Sequence, residues 1–276
     1  MAINKININK IEFGGTDLPL IAGPCVIEGR DHALKMAESI ASVAANVGLP
    51  YIFKTSFDKA NRTAIDAFRG PGFENGLEIL SDIKAVTGLP ILTDIHLPEQ
   101  AASVADVVDI IQIPAFLCRQ TDLLIAAAKT GKCVNVKKGQ FISPWKMSNI
   151  VKKLEESGAE QILLTERGSS YGYNDLIVDL RSIPIMQEFG YPVVFDATHS
   201  AQVPGVTGSM TQGLREYIPT MVKAAVAAGC NGLFMEVHDD VESAKSDAAT
   251  QWPLDKLEEL LILAKNYHSI GFKNVQ

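Results

Sequence analysis

Apolar positions recur along this chain in two ways. In residues 3–13 they are interleaved with polar ones, Ile3, Ile6, Ile8, Ile11 and Phe13 standing among Lys, Asn and Glu, and the run ends at Gly14 and Gly15. That predicts a short strand pair or hairpin. From residue 18 onward, short apolar runs predict eight strands, near 18–23, 50–54, 90–94, 107–113, 132–137, 161–165, 192–196 and 231–237. Most are separated by a helical pattern, the first an amphipathic stretch from about 31 to 47 that Gly48 closes. Runs without polar alternation predict parallel strands buried on both faces. Eight strand–helix units predict one α/β domain over residues 1–276, a closed (β/α)8 TIM barrel with residues 1–15 as an N-terminal β-hairpin. An open doubly wound sheet is the alternative. No linker rich in Pro, Gly or Ser divides the chain, and no repeat exists beyond the βα alternation.

In such folds the residues just after each strand gather at one mouth. Here they are Pro24, Cys25 and Glu28; the stretch 54–63; Thr93-Asp94-Ile95-His96; Gln112-Ile113-Pro114-Ala115 with Arg119 beyond; Lys137-Lys138-Gly139-Gln140; Thr165-Glu166-Arg167-Gly168; Asp196 to Ser200; and Glu236-Val237-His238. The opposite ends are mostly Gly-Leu-Pro, Tyr-Pro and Asn-Gly turns. That asymmetry points to an enzyme.

Residues 54–63, Lys-Thr-Ser-Phe-Asp-Lys-Ala-Asn-Arg-Thr, concentrate cations and hydroxyls where a buried strand ends. A solvated charged loop would have the same composition. Its position at the functional end of a strand favours an anion site, with Arg62 supplying a fork that matches phosphate oxygens. Lys54, Lys59, Arg62, Lys137, Lys138 and Arg167 exceed what one phosphate needs, which implies a carboxylate and a phosphate, or two phosphorylated substrates.

Composition narrows the partners. With 47% apolar and 21% charged residues the chain can bury a large core, and its net charge of −7 argues against nucleic acid, so anion binding is local. Cys25, Cys118, Cys133 and Cys230 form neither a CxxC motif nor a dense disulfide pattern. With no signal peptide or long apolar span, the expected setting is the cytoplasm, away from any membrane. Cys118, Cys133 and Cys230 read as small buried hydrophobes.

Cys25 reads differently. With His199, Glu236 and, as an open fourth, Asp247, it makes a donor set suited to a divalent transition metal, although no local signature joins them. Asp94 and Asp196 could be ring-closing structural carboxylates or could handle protons. His32 and His268 are expected to be solvated on helical faces. Residues 204–212, with Val206 and Met210 at an apolar tip, read as a lid, a subunit contact or a plain surface loop.

The runs 21–25 (Ile-Ala-Gly-Pro-Cys), 54–62, 93–96, 112–120, 135–140 and 196–200, in barrel order between about residues 18 and 253, together resemble the 3-deoxy-D-manno-octulosonate 8-phosphate synthase family. The resemblance implies condensation of phosphoenolpyruvate with arabinose 5-phosphate and release of inorganic phosphate. The related 3-deoxy-D-arabino-heptulosonate 7-phosphate synthases carry a Lys-Pro-Arg-type motif where this chain has Lys59-Ala60-Asn61-Arg62. They are the alternative, along with a non-catalytic phosphosugar-binding barrel.

By that resemblance Lys59, Lys137 and Arg167 hold phosphoenolpyruvate, with Gln112 and the Ala115 backbone beside them and Lys54 and Ser56 lining the same region. Asn61, Arg62 and Thr63 hold the aldose phosphate, Thr63 replacing the serine of many members. Arg119 reaches the sugar phosphate from a neighbouring subunit, which implies a homotetramer. Asp94 joins the substrate-binding residues, and Lys59, Lys137, His199 and Asp247 form the catalytic set. Cys25, where metal-free members carry Asn, implies the metal-dependent branch with Cys25, His199, Glu236 and Asp247 as ligands. The implied cofactor is one divalent ion, iron, zinc, manganese or cobalt, with no organic cofactor. Its favoured role is orienting the aldehyde rather than activating water.

Overall fold

The computed structural model describes residues 3–62, 64–172, 175–203 and 212–273. Thr63 and most of the 204–212 segment, Val206 and Met210 included, therefore lie outside the described residues. The chain opens with strands β1 (Ile6–Ile8) and β2 (Ile11–Phe13), paired antiparallel across a two-residue turn in which Asn9 takes φ 53°. Asparagine tolerates that left-handed conformation, so the turn closes at little steric cost. Ile6, Ile8, Ile11 and Phe13 are all buried. The Phe13 ring sits against Gly232, at a place where any Cβ would crowd it.

The barrel follows: β3 (Leu20–Gly23), α1 (Arg30–Val47), β4 (Tyr51–Lys54), α2 (Phe73–Thr87), β5 (Ile91–Asp94), α3 (Gln100–Val107), β6 (Ile110–Ile113), α4 (Thr121–Ala128), β7 (Cys133–Lys137), α5 (Met147–Glu156) and β8 (Ile162–Glu166). A short hairpin, β9 (Ser169–Tyr171) with β10 (Asp175–Ile177), precedes α6 (Ser182–Gln187) and β11 (Val193–Asp196). The two-residue strands β12 (Gln202–Val203) and β13 (Gln212–Gly213) then pair. They are followed by α7 (Ile218–Ala227), β14 (Gly232–His238), β15 (Trp252–Pro253) and α8 (Leu257–Lys273). Strands β3 to β8, β11 and β14 pair in parallel in that order, and β14 returns to β3, which closes the eight-stranded barrel. No helix among the described residues is long and apolar enough to cross a membrane.

Local chemistry explains the joints. Helix α1 buries Ala33, Met36, Ala37, Ile40, Ala44 and Val47, one stripe at helical spacing, and ends on Gly48 at φ 73°, whose N–H reaches back to the Ala44 and Ala45 carbonyls. Gly23 has a different task. A Cβ there would run into the Lys54 carbonyl, so glycine lets β3 and β4 close up beneath the mouth.

Two strand boundaries differ from the expectation. The apolar run 107–113 divides, since Val107 ends α3, the Val108 N–H still bonds the Val104 carbonyl, and the strand starts at Ile110. Asp109 marks the division by accepting from Lys84 Nζ and from the Ile91 N–H. Strand β14 runs on through His238, which places Glu236 inside the strand rather than after it. The interior is also less apolar than the runs suggest. Gln112, Asn135 and Thr165 form a buried chain, Asn135 Nδ2 donating to Gln112 Oε1 at 3.1 Å and Thr165 Oγ1 to Asn135 Oδ1 at 2.7 Å. Each polar group finds its partner on the next strand, so burial carries little penalty.

Candidate active site

At the C-terminal ends of the strands a cavity of about 830 Å³ opens, a size typical of small-molecule sites. Lys54, Ser56, Lys59, Asn61, Arg62, Asp94, Gln112, Ala115, Lys137, Arg167, His199 and Asp247 all line it. Cys25 and Glu236 lie buried beside it, in contact with lining residues. Arg119 is exposed and does not line the cavity of its own chain.

Four donor groups converge at one side. Cys25 Sγ donates to Asp247 Oδ2 at 3.4 Å, and His199 Nε2 lies 3.5 Å from Glu236 Oε1 and 3.8 Å from Asp247 Oδ2. Cys25, Glu236 and Asp247 each offer a ligand atom within 4.8 Å of the others, and Glu236 Oε2 is buried without a hydrogen-bond partner. Thiol, imidazole and two carboxylates suit a divalent transition ion, and the orphaned carboxylate oxygen is what such an ion would satisfy. Asp196 Oδ2 lies 2.7 Å from His199 Nδ1, which favours the proton on that nitrogen and leaves the Nε2 lone pair facing the cluster.

The lysines are held by this same cluster. Lys54 Nζ donates to Glu236 Oε1 at 3.0 Å and to the Cys25 carbonyl at 3.3 Å, while Lys59 Nζ bonds Ser56 Oγ at 3.1 Å and lies 3.5 Å from Glu236 Oε1. Lys137 Nζ contacts Asp196 Oδ2 at 2.5 Å and sits over the Phe234 ring. Ser56 Oγ bonds Asp94 Oδ1, whose other oxygen meets His96 Nε2 at 2.9 Å. Arg167 Nη2 donates to Gln202 Oε1 at 2.8 Å. Arg62 reaches Ser246 Oγ at 2.7 Å and the Lys245 carbonyl at 3.2 Å.

Protonation follows from these neighbours. Burial alone would raise the Glu236 carboxyl, but His199, Lys54 and Lys59 hold it well below the usual range. Burial and then Glu236 push the Cys25 thiol well up in the metal-free cluster. Burial pulls Lys59 down, yet Cys25, Glu236 and Asp94 keep it well above the ordinary lysine value. Lys137 goes the other way, because burial and Lys54 outweigh Asp196.

Two expectations are corrected. Lys138 does not line the cavity; its buried Nζ bonds the Gly168 carbonyl at 3.1 Å and Ser169 Oγ at 2.9 Å, 3.5 Å from Glu166. Alternation along the chain turns it away from its neighbour Lys137. Nor is His32 solvated. Its Nε2 meets Asp239 Oδ1 at 3.0 Å, and its ring lies 4.7 Å from that of His238. His268 stays partly exposed on α8, donating from Nε2 to the Thr16 carbonyl at 2.9 Å.

Glu28, His32 and His238 form a second cluster of ligand-type atoms. The Asp240 N–H donates to His238 Nδ1 at 3.0 Å, which puts the ring proton on Nε2, 3.3 Å from Glu28 Oε1. A metal needs the lone pair that this tautomer lacks at Nε2, so the cluster reads as a polar contact between β14 and the start of α1.

Other cavity residues carried no warning in the sequence. Gln202, Arg215 and Lys245 all line the cavity. Gln202 lies in the two-residue strand β12 and the others in connections; none ends a barrel strand or carries a local motif, and only tertiary folding gathers them.

Residues 4–272 match the profile of the DAHP synthetase I family. The chain is 59% identical over 247 residues to the 2-dehydro-3-deoxyphosphooctonate aldolase of Synechococcus sp., an alignment spanning 90% of this chain and 87% of that protein. It is 56% identical over 258 residues to the protein of that name in Trichlorobacter lovleyi, covering 93% and 95%. With the one in Rickettsia prowazekii the identity is 54% over 266 residues, covering 96% and 97%.

Proposed function

The chain belongs to the DAHP synthetase I family, and we propose that it condenses phosphoenolpyruvate with D-arabinose 5-phosphate and water to give 3-deoxy-D-manno-octulosonate 8-phosphate and inorganic phosphate. The observation that carries this reading is that Lys59, Arg62, Lys137 and Arg167 open into one cavity in a chain of net charge −7. So concentrated a positive field suits two anionic substrates held side by side.

Lys59, Lys137 and Arg167, with Gln112 and the Ala115 backbone, hold the phosphoenolpyruvate carboxylate and phosphate. Lys54 and Ser56 support them from below, through Glu236 and Asp94. Asn61 and Arg62 take the aldose phosphate. Arg119, exposed and outside its own cavity, completes that subsite from a neighbouring copy in a homotetramer.

Cys25, His199, Glu236 and Asp247 would hold a divalent metal, which supplies a Lewis acid for orienting the aldehyde. The chain's own residues do the rest. They fix C3 of phosphoenolpyruvate against the aldehyde carbon and compensate charge, catalysis by orientation and electrostatics. Lys59, kept charged by its anionic neighbours, stabilises developing negative charge. Lys137, whose proton burial loosens, is the better placed to move a proton during carbon–carbon bond formation and phosphate loss.

The test is phosphate release from phosphoenolpyruvate with arabinose 5-phosphate, erythrose 4-phosphate or N-acetylmannosamine, each with chelator and after metal add-back. Turnover with arabinose 5-phosphate alone, lost in chelator and restored by metal, is expected. Turnover with erythrose 4-phosphate instead, or calorimetric binding of both substrates without turnover, would overturn the reading.

A further inference from the structure

Of the donor cluster only Glu236 lies within a barrel strand; Cys25 and His199 follow β3 and β11 within three residues, whereas Asp247 lies nine residues beyond the end of β14. It sits in the connection between β14 and β15 with φ 48°, a conformation uncommon for a residue with a Cβ. Aspartate reaches that region more readily than most residues, and the turn closes on itself through the Thr250 and Gln251 N–H groups, which bond the Asp247 carbonyl at 2.9 and 3.0 Å.

On the N-terminal side Glu28 accepts the Lys245 N–H at 2.9 Å, Gln251 Nε2 donates to the Ser246 carbonyl at 2.8 Å, and Arg62 bonds Ser246 Oγ and the Lys245 carbonyl. Arg62 is also the guanidinium proposed for the aldose phosphate. On the C-terminal side Arg215 Nη2 donates to the Ala248 carbonyl, the residue after Asp247. The backbone beside Arg215 is seated there independently. Gly213 packs so closely on Thr250 and Ala249 that a Cβ would not fit, and the Leu214 N–H bonds the Ala201 carbonyl at 2.8 Å, two residues beyond His199. One short segment thus touches the connections that bear two of the ligands, His199 and Asp247.

We propose that Arg215 is a positioning residue for the metal-binding cluster, clasping the Asp247 turn from its C-terminal side so that the carboxylate keeps its place when Arg62 engages the sugar phosphate. The inference rests on the reading of Cys25, His199, Glu236 and Asp247 as a metal site. Arg215 touches neither the metal nor the reacting atoms; it acts through the backbone of the turn.

The experiment is a Co(II) titration of metal-stripped wild type and the Arg215→Ala, Arg215→Gln, Arg215→Lys and Cys25→Ala variants. Absorption bands and competition with a chelator are followed, alongside the thermal midpoint of each metal-free protein. Arg215→Ala is expected to weaken Co(II) binding by roughly 10–100-fold, the usual cost of losing an outer-shell partner. Its ligand-field bands should shift while the thiolate band from Cys25 persists and the metal-free midpoint stays at the wild-type value. Arg215→Lys, which keeps one donor, should recover much of the loss. Arg215→Gln serves if the alanine variant does not fold. Wild-type affinity and spectrum in Arg215→Ala or Arg215→Gln would overturn the inference, as would an affinity loss matched by a lowered metal-free midpoint. If Cys25→Ala binds Co(II) as wild type does, the metal reading itself fails.

Discussion

Asp196 and His199 stand three residues apart across the end of β11, with Asp196 Oδ2 2.7 Å from His199 Nδ1. A carboxylate in that place orients the imidazole and selects its tautomer. Asp196→Asn is therefore expected to weaken metal binding by about 10–100-fold, the range for such partners. The drop should persist when metal is measured directly by dialysis and atomic absorption. Unchanged metal content at limiting metal would contradict the assignment.

Lys137 and Lys138 are neighbours with opposite tasks. Lys137→Met is expected to abolish phosphate release while leaving the fold intact. Lys138→Met leaves Glu166 buried without its cation, and removing one partner of a buried pair costs about 3–5 kcal/mol. Urea unfolding checks the second variant, whose residual KM for phosphoenolpyruvate should match wild type. A raised KM with undiminished stability would return Lys138 to the substrate site.

Asp94 gives a pH signature. Burial would raise its carboxyl, but His96, Lys59 and Lys54 hold it well below the ordinary range. A carboxyl depressed by folding adds stability that is fully present above its unfolded pKa of about 3.9 and is lost as pH falls toward the folded value. Asp94→Asn should thus be less stable than wild type at pH 6, with the gap narrowing below about pH 4. Urea midpoints between pH 3 and pH 7 measure it, and a gap constant over that range would refute the linkage.

Gly23 lies in extended backbone, so its intolerance is purely one of space. Gly23→Ala forces a Cβ onto the Lys54 carbonyl and should push β3 and β4 apart where Cys25 and Lys54 must meet. Overpacking of this kind costs typically about 1–3 kcal/mol. A lowered melting temperature together with weakened metal binding is expected; loss of neither would show that the strands adjust freely.

The barrel was legible because its strands are buried on both faces, so each appears as an unbroken apolar run, and because Gly48 stops α1 where the period fails. The run 107–113 misled because Val107 and Val108 are equally at home ending a packed helix and starting a strand. The site was legible where a functional side chain directly follows or ends a strand, as Lys54, Asp94, Lys137 and Arg167 do. His32 and Lys138 were misplaced, since their partners, Asp239 and the Gly168 carbonyl, come from distant segments that spacing does not reveal. Arg215 gives no signal in the sequence for the same reason. Its carbonyl partner lies 33 residues away, in a connection without regular structure.

The hairpin of β1 and β2 carries a kinetic consequence. With Phe13 wedged against the first residue of β14, the hairpin packs at the end of the barrel opposite the strand ends that line the cavity. Incoming phosphoenolpyruvate and outgoing inorganic phosphate then meet at that one end and contend for the same cations. Accumulated phosphate would compete with phosphoenolpyruvate for the empty enzyme, so the end of one catalytic cycle sets the pace of the next.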